Sequence, residues 1–220
     1  MSERLHPFSL DGKWAIVTGA SKGLGAAMAV ALAEAGADLI LVARGDLRET
    51  ADRVETAGRR TKLFRVDLSE RQQTRQLIAD LSALPELPTI LVNNAGTIRR
   101  APLFDFEEKD WDEVMETNLS SIFFLCQGLA REWKQTGQPG KIINIASMLS
   151  FQGGIRVPSY TASKTGLTGL TRLLANELAP YDIQVNAIAP GYMETNNTAA
   201  LRADPQRNAE ILGRIPAGRW

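Results

Sequence analysis

Histidine and cysteine are nearly absent: the 220-residue chain has one of each, His6 and Cys126. A single histidine excludes a zinc site built on several His ligands, and a Ser-His-Asp triad would have to recruit a residue near the N-terminus. A single cysteine excludes an intrachain disulfide, a Cys cluster and an iron–sulfur centre. No metal is expected. Net charge is lacking too, since 25 Lys and Arg balance 25 Asp and Glu. That balance leaves no electrostatic footprint for nucleic acid or an anionic membrane. Long apolar runs are missing as well. The longest uncharged stretches, residues 117–130 and 142–155, are too short and too polar to cross a bilayer. Residues 1–13 carry Glu3 and Asp11 and no apolar segment, so no signal peptide is expected and the cytoplasm is the expected compartment.

What the chain does contain is a repeated alternation. Short β-branched runs stand at residues 14–18, 39–42, 62–66, 89–92, 141–145 and 184–188. Several are almost continuously apolar, as strands covered on both faces must be. Helix-forming segments separate them, with their own punctuation: Ser69 with Gln72 reads as a capping box, Gly58 as a helix end, and Asp204-Pro205 as an N-cap followed by Pro at the first helical position. Strands alternating with helices predict an α/β fold, a doubly wound parallel sheet with helices on both faces. No linker, repeat or low-complexity tract interrupts it, so residues 1–220 read as one domain.

The first strand runs into Thr18-Gly19-Ala20-Ser21-Lys22-Gly23-Leu24-Gly25 and then into a helix-forming stretch, residues 26–35. Glycines at 19, 23 and 25 allow a tight turn and a close backbone approach to a pyrophosphate, with a helix N-terminus behind it. Such a loop at the start of an α/β domain predicts dinucleotide binding. Nineteen residues after Gly25, where an acidic residue would receive a ribose 2′-hydroxyl, stands Arg44, with Lys22 already in the loop and Asp46 two positions on. Two basic groups favour a 2′-phosphate, so the residue chemistry leans to NADP(H).

Tyr160 and Lys164 are four apart in a helical stretch, residues 159–179, and share a face. An ammonium beside a phenol favours the phenolate; bringing a tyrosine from about 10 towards 7 takes roughly 4 kcal/mol. Ser147 ends the fifth strand, where open α/β sheets bind ligands. Asn118 falls on an apolar helical stripe with Trp111, Val114, Ile122, Leu125 and Leu129, so its amide needs buried partners. Three arginines, Arg99, Arg100 and Arg156, lie in loops near these groups and suit a substrate carboxylate.

The Gly-x-x-x-Gly-x-Gly loop, Asn93-Asn94-Ala95-Gly96, Tyr160-x-x-x-Lys164 and Pro190-Gly191 together resemble the short-chain dehydrogenase/reductase family, over nearly the whole chain. The resemblance implies a catalytic tetrad of Asn118, Ser147, Tyr160 and Lys164, in which Asn118 holds a water that links Lys164 to solvent. It implies a dinucleotide site at Thr18, Gly19, Ser21, Lys22, Gly23, Leu24, Gly25, Arg44, Asp67, Leu68, Asn94, Ala95, Gly96, Tyr160, Lys164, Pro190, Gly191 and Thr195. Substrate would meet Ser147 and Tyr160. Segments 142–164, 186–204 and 214–220 are similar to the branch acting on sugar acids of the 2-deoxy-gluconate or 2-keto-3-deoxy-gluconate type. That branch is commonly NAD-linked, so the resemblance implies NAD(H) where Lys22 and Arg44 point to NADP(H), and the cofactor is written NAD(P)(H). Alternatives are another short-chain reductase, such as a gluconate 5-dehydrogenase or a 3-oxoacyl reductase, and a non-catalytic dinucleotide sensor. The resemblance also implies a homodimer or homotetramer, and a further helix and strand after Trp220. On that basis the working protein is expected to be longer than 220 residues, with the strand at 184–188 left as an open sheet edge.

Overall fold

The computed structural model describes residues 8–195 and 198–220; His6 lies outside them. Among the described residues the strands are β1 (Trp14–Thr18), β2 (Asp38–Ala43), β3 (Thr61–Arg65), β4 (Ile90–Asn93), β5 (Gly140–Ile145) and β6 (Ile183–Ile188). The helices are α1 (Gly23–Glu34), α2 (Arg48–Thr56), α3 (Arg71–Ser82), α4 (Glu108–Met115), α5 (Ser121–Thr136), α6 (Pro158–Leu178), α7 (Ala199–Ala203) and α8 (Pro205–Leu212). All six strands run parallel in the order β3-β2-β1-β4-β5-β6. The strand order reverses between β1 and β4, and the crevice there is where such sheets take ligands.

Alternation along the strands divides the core. Ile16, Ile40, Val42, Leu91 and Ile142 point to one face, against Leu77, Leu125, Leu129, Trp133 and Leu167 from α3, α5 and α6. Ala15, Val17, Leu39, Leu41 and Val92 point to the other, against Ala29 and Ala33 of α1 and Val54 of α2. β1 and β2 are therefore buried throughout, while the edge strand β6 alternates and leaves Gln184, Asn186 and Ile188 exposed. Among the described residues no helix is long and apolar enough to cross a membrane.

Two polar positions inside these apolar strands are paired across the core. Asn93 of β4 donates to Asn144 Oδ1 of β5 at 2.9 Å, and Asn144 donates to Thr171 Oγ1 of α6 at 3.0 Å. This chain of amides ties the strands to the helix that carries Tyr160 and Lys164.

Local punctuation is met in part. Gly58, at φ +77°, follows α2, and Asp204 accepts the N–H groups of Gln206 and Arg207 at 3.0 and 3.1 Å. The capping box at Ser69 and Gln72 does not form. α3 starts at Arg71, and the Ser69 hydroxyl donates instead to Asp67 at 2.7 Å, because a carboxylate outcompetes a helix end for it. Trp111 is also not on the buried stripe, remaining 40% exposed. A straight helix would carry the Ile122–Leu125–Leu129 stripe back through 118, 115 and 111. A π-helical turn at Glu116–Ser120 adds a residue between α4 and α5, so Val114 points inward and Trp111 outward.

Candidate active site

The phosphate loop is shaped by what its glycines exclude. Gly19 is left-handed at φ +67°, and a Cβ there would come within 2.9 Å of Ala95 Cα. Gly25, in the first turn of α1, has no room for a side chain, since a Cβ would stand 2.2 Å from the Gly19 carbonyl oxygen. The helix start is thus pressed onto the turn after β1. Gly23 is left-handed at φ +57° with nothing within 4 Å of a Cβ, so the loop opens to that side. Lys22 precedes α1 without capping it, and no acidic residue stands in the first turn. An uncapped N-terminus with an open, glycine-lined approach fits a pyrophosphate.

Two side chains expected to touch the cofactor are used within the protein. The Thr18 hydroxyl, 1% exposed, accepts the N–H groups of Asn94 and Ala95, both at 3.0 Å. The Asn94 amide donates to the carbonyls of Thr18 and Gly19 at 2.9 and 3.3 Å. They hold the β1 and β4 turns together and so position the loop. The Leu68 side chain belongs to the core, which leaves only its backbone for a ligand. Ser21 and Leu24 are half-buried beside the loop, and Ser21 Oγ would be 3.7 Å from a Cβ on Gly45, past the end of β2.

At that end of the sheet Arg44 is 64% exposed and approaches Asp67 at 3.4 Å. Burial pushes the Asp67 carboxyl up, but Ser69 hydrogen bonds and the Arg44 charge outweigh it and hold it below the usual range. Asp46 is turned away, bound to Arg48 at 2.8 Å and held at about 2 by that bond. Lys22 is exposed.

The tetrad residues converge from three elements. Asn118, in the π turn, is fully buried: Oδ1 accepts Thr97 N–H at 2.8 Å, and Nδ2 donates to Thr97 O at 2.9 Å and Ser163 Oγ at 3.3 Å. This is the tethering a buried amide requires. A Cβ on Gly96 would lie 3.4 Å from Asn118 Oδ1 and 3.7 Å from Lys164 Nζ, so the turn after β4 abuts both. Lys164, 3% exposed, donates from Nζ to the Ile145 carbonyl at 2.6 Å, and burial lowers its pKa to about 8. Its Nζ stands 5.8 Å from the Tyr160 ring centre. Ser147 Oγ accepts Leu149 N–H at 3.2 Å, and its side chain is near enough to Tyr160 to pull the phenol's pKa down. The expected lowering of the Tyr160 pKa is not found in the protein alone. Burial raises it, and the Ser147 side chain and the Arg100 charge offset only part of that.

The three arginines separate. Arg99 is drawn onto α4, 2.6 Å from Glu113 and 3.5 Å from Asp110, so it is not disposed to meet a substrate. Two carboxylates on adjacent turns neutralise it. Arg100 carries its charge to Tyr160. Arg156, left-handed at φ +64°, is exposed, and its carbonyl accepts Ala101 N–H at 3.2 Å, which joins the two loops over the site. Pro190 accepts Met148 N–H at 3.2 Å, which sets Gly191 against Met148, while Thr195 N–H donates to Thr198 Oγ1 at 3.1 Å. Ser150, which joins Ser147 to Lys164, Ser163, which joins Asn118 to Tyr160, and Thr97, which anchors Asn118, had no signal in the sequence beyond being small and polar.

Comparison with known proteins agrees with this geometry. The chain matches the short chain dehydrogenase family over residues 13–206. It is 55% identical over 216 residues to the 2-dehydro-3-deoxy-D-gluconate 5-dehydrogenase of Dickeya dadantii, covering 98% of this chain and 85% of that one. A crystal structure from Agrobacterium tumefaciens, assigned as a 2-deoxy-D-gluconate 3-dehydrogenase and holding NADP, is 55% identical with a TM-score of 0.90, over 97% of this chain and 85% of that one. Another from Beutenbergia cavernae, assigned as an NAD(P)-dependent gluconate 5-dehydrogenase with NADP at low occupancy, is 45% identical with a TM-score of 0.93, over 98% and 86%. With the phosphate loop, the strand order and the Ser147–Tyr160–Lys164 cluster all in place, the chain belongs to the short-chain dehydrogenase family.

Proposed function

We propose that the protein is an NADP(H)-dependent dehydrogenase of a sugar acid, of the 2-dehydro-3-deoxy-gluconate or gluconate type. The observation that carries this reading is the convergence of Ser147, Tyr160 and the buried Lys164 ammonium, 5.8 Å from the Tyr160 ring centre, within reach of the Arg100 charge. A guanidinium at the reacting hydroxyls suits a substrate that brings a carboxylate. The sugar-acid names of the relatives support the class, and the NADP held by the solved structures supports the cofactor. Lys22 and Arg44, with Asp46 occupied by Arg48, support a 2′-phosphate over a free 2′-hydroxyl.

A bound nicotinamide supplies the hydride acceptor in oxidation and the donor in reduction. The open side of the loop at Gly23 and the first N–H groups of α1 would receive the pyrophosphate. Ser147 Oγ hydrogen-bonds the substrate oxygen and orients it. Tyr160 Oη takes the alcohol proton in oxidation and returns it in reduction. Burial holds that proton on Tyr160, so oxidation gains as rising pH removes it and reduction loses. Arg100 and the Lys164 ammonium favour the phenolate.

We further propose a cytoplasmic homodimer or homotetramer. Leu119, Phe123, Phe124, Gly166 and Leu170, with Arg71 of α3, line a concavity between the π turn, α5 and α6, and Leu173 of α6 is 47% exposed, which supports burial of this face by a second copy.

A second reading, reduction of a 3-oxoacyl chain, is favoured by Phe151 and Ile155, both about 70% exposed near the site. The test is turnover of 2-dehydro-3-deoxy-D-gluconate, D-gluconate and an acetoacetyl thioester with both cofactors. Sugar-acid turnover with NADP(H) preferred by about tenfold, or roughly 1.4 kcal/mol, is expected. Turnover of the thioester alone would favour the second reading. Tight NADP(H) binding without turnover would mark a sensor.

A further inference from the structure

Ser150 ties the catalytic elements together without belonging to the tetrad. It closes the short 3₁₀ turn Met148–Ser150 after β5, and it is buried. Its Oγ accepts the backbone N–H of Ser147 at 3.3 Å and donates to the backbone carbonyl of Lys164 at 2.7 Å. Its own N–H donates back to the Ser147 carbonyl at 2.9 Å. Lys164 is therefore held at both ends, its carbonyl by Ser150 and its ammonium by the Ile145 carbonyl. A hydroxyl bond from α6 back to the turn, Thr165 to Leu149, is long at 3.5 Å. Ser147 lies on one side of this seam and Tyr160 on the other.

We propose that Ser150 is a positioning residue: by clamping the Ser147 backbone to the Lys164 backbone, it sets where the Ser147 hydroxyl stands relative to Tyr160 and Lys164. The proposal rests on the reading of Ser147, Tyr160 and Lys164 as the reacting groups. A serine has one hydroxyl hydrogen, and here it is spent on Lys164 while the oxygen receives Ser147. Alanine removes both bonds and leaves the Ser147 N–H buried without that partner, whereas threonine keeps the hydroxyl. Misplacement of a reacting group by about 1 Å can cost on the order of 10²-fold in rate, so a loosened seam should be visible in turnover. It should also be visible in the phenol itself, because the Ser147 side chain is one of the influences that pull Tyr160 back against burial.

The experiment compares Ser147→Ala, Ser150→Ala, their double variant and Ser150→Thr in the full chain. Activity is read with 2-dehydro-3-deoxy-D-gluconate and NADP⁺. The Tyr160 phenol is titrated by ultraviolet difference absorbance without cofactor, the Tyr160→Phe spectrum removing Tyr181 and Tyr192. Ser150→Ala should lower kcat about tenfold or more, with KM within about twofold, and move both the alkaline rise of oxidation and the phenol titration to higher pH. Ser150→Thr should restore both. The double variant should be no worse than Ser147→Ala by more than about twofold, because Ser150 acts through Ser147. Should Ser150→Ala not fold, Ser150→Cys keeps the volume, weakens both bonds and carries the same comparison. Unchanged kcat and titration in Ser150→Ala, whatever its melting temperature, or losses that multiply in the double variant, would overturn the proposal. Full activity in Ser147→Ala would instead overturn the reading of the catalytic serine. The titration would then still report whether Ser150 sets the placement of Ser147 beside Tyr160.

Discussion

Lys164 is the residue whose environment conflicts most with its chemistry. Its ammonium is buried with one carbonyl partner, and desolvation brings its pKa from 10.5 to about 8. A folded pKa below the unfolded one means that folding releases a proton between about 8 and 10.5. Stability from this group is therefore present above that window and lost as pH falls through about 8. Two and a half pKa units correspond to about 3 kcal/mol. Lys164→Met, although inactive, should be more stable than wild type at pH 7 by about 2 kcal/mol, allowing for an orphaned Ile145 carbonyl. The advantage should shrink towards pH 10.5, the ordinary lysine value. Chemical denaturation of both proteins across that range, each also in a Tyr160→Phe background to remove the phenol's titration, checks it. At the other end of the site, Arg44→Asp should shift kcat/KM from NADP towards NAD, since a carboxylate repels a 2′-phosphate and accepts from a 2′-hydroxyl. A wild type that already prefers NAD by about tenfold would show Arg44 to be a plain surface residue.

At the scale of elements, the junction of β1, α1 and β4 depends on two glycines and one amide. Gly25→Ala would set a methyl 2.2 Å from the Gly19 oxygen and 2.5 Å from Asn94 Nδ2. Backbone has to move, so NADPH affinity should fall about tenfold or more, with about 1–3 kcal/mol lost from stability. Gly23→Ala meets open space and costs only the left-handed conformation, about 1 kcal/mol. Fluorescence titration of NADPH against both variants separates the two effects; equal losses would refute the steric account. The same scale explains the misread helix stripe. Periodicity assumes an unbroken α-helix, and the π turn at Glu116–Ser120 breaks the phase where Asn118 must reach Thr97 and Ser163.

For the whole molecule, one layer of helices presents apolar surface. Leu173→Arg, on the exposed side of α6, should split the proposed oligomer into monomers while leaving circular dichroism unchanged, because Leu173 is only partly covered within the chain. Light scattering reads the mass directly, and an unchanged mass would place the interface elsewhere. β6 is one of the two sheet edges among the described residues, β3 the other.

Sequence alone determined the strands, their parallel connection and the glycine turn after β1, because apolar runs and glycine spacing are local properties that survive any tertiary context. That Asn93 and Asn144 bond to each other inside apolar strands came only from the structure. Only the tertiary structure decided which groups each charge meets. Arg99 and Arg100 are neighbours in sequence, yet Glu113 and Asp110 neutralise the first while the second reaches Tyr160. The acidity of Tyr160 likewise depends on how deeply α6 is buried and on what faces it, and Ser150 matters only because the β5 turn meets Lys164. Electrostatics and hydrogen bonding are set by distances across the fold, and no spacing along the chain encodes those distances.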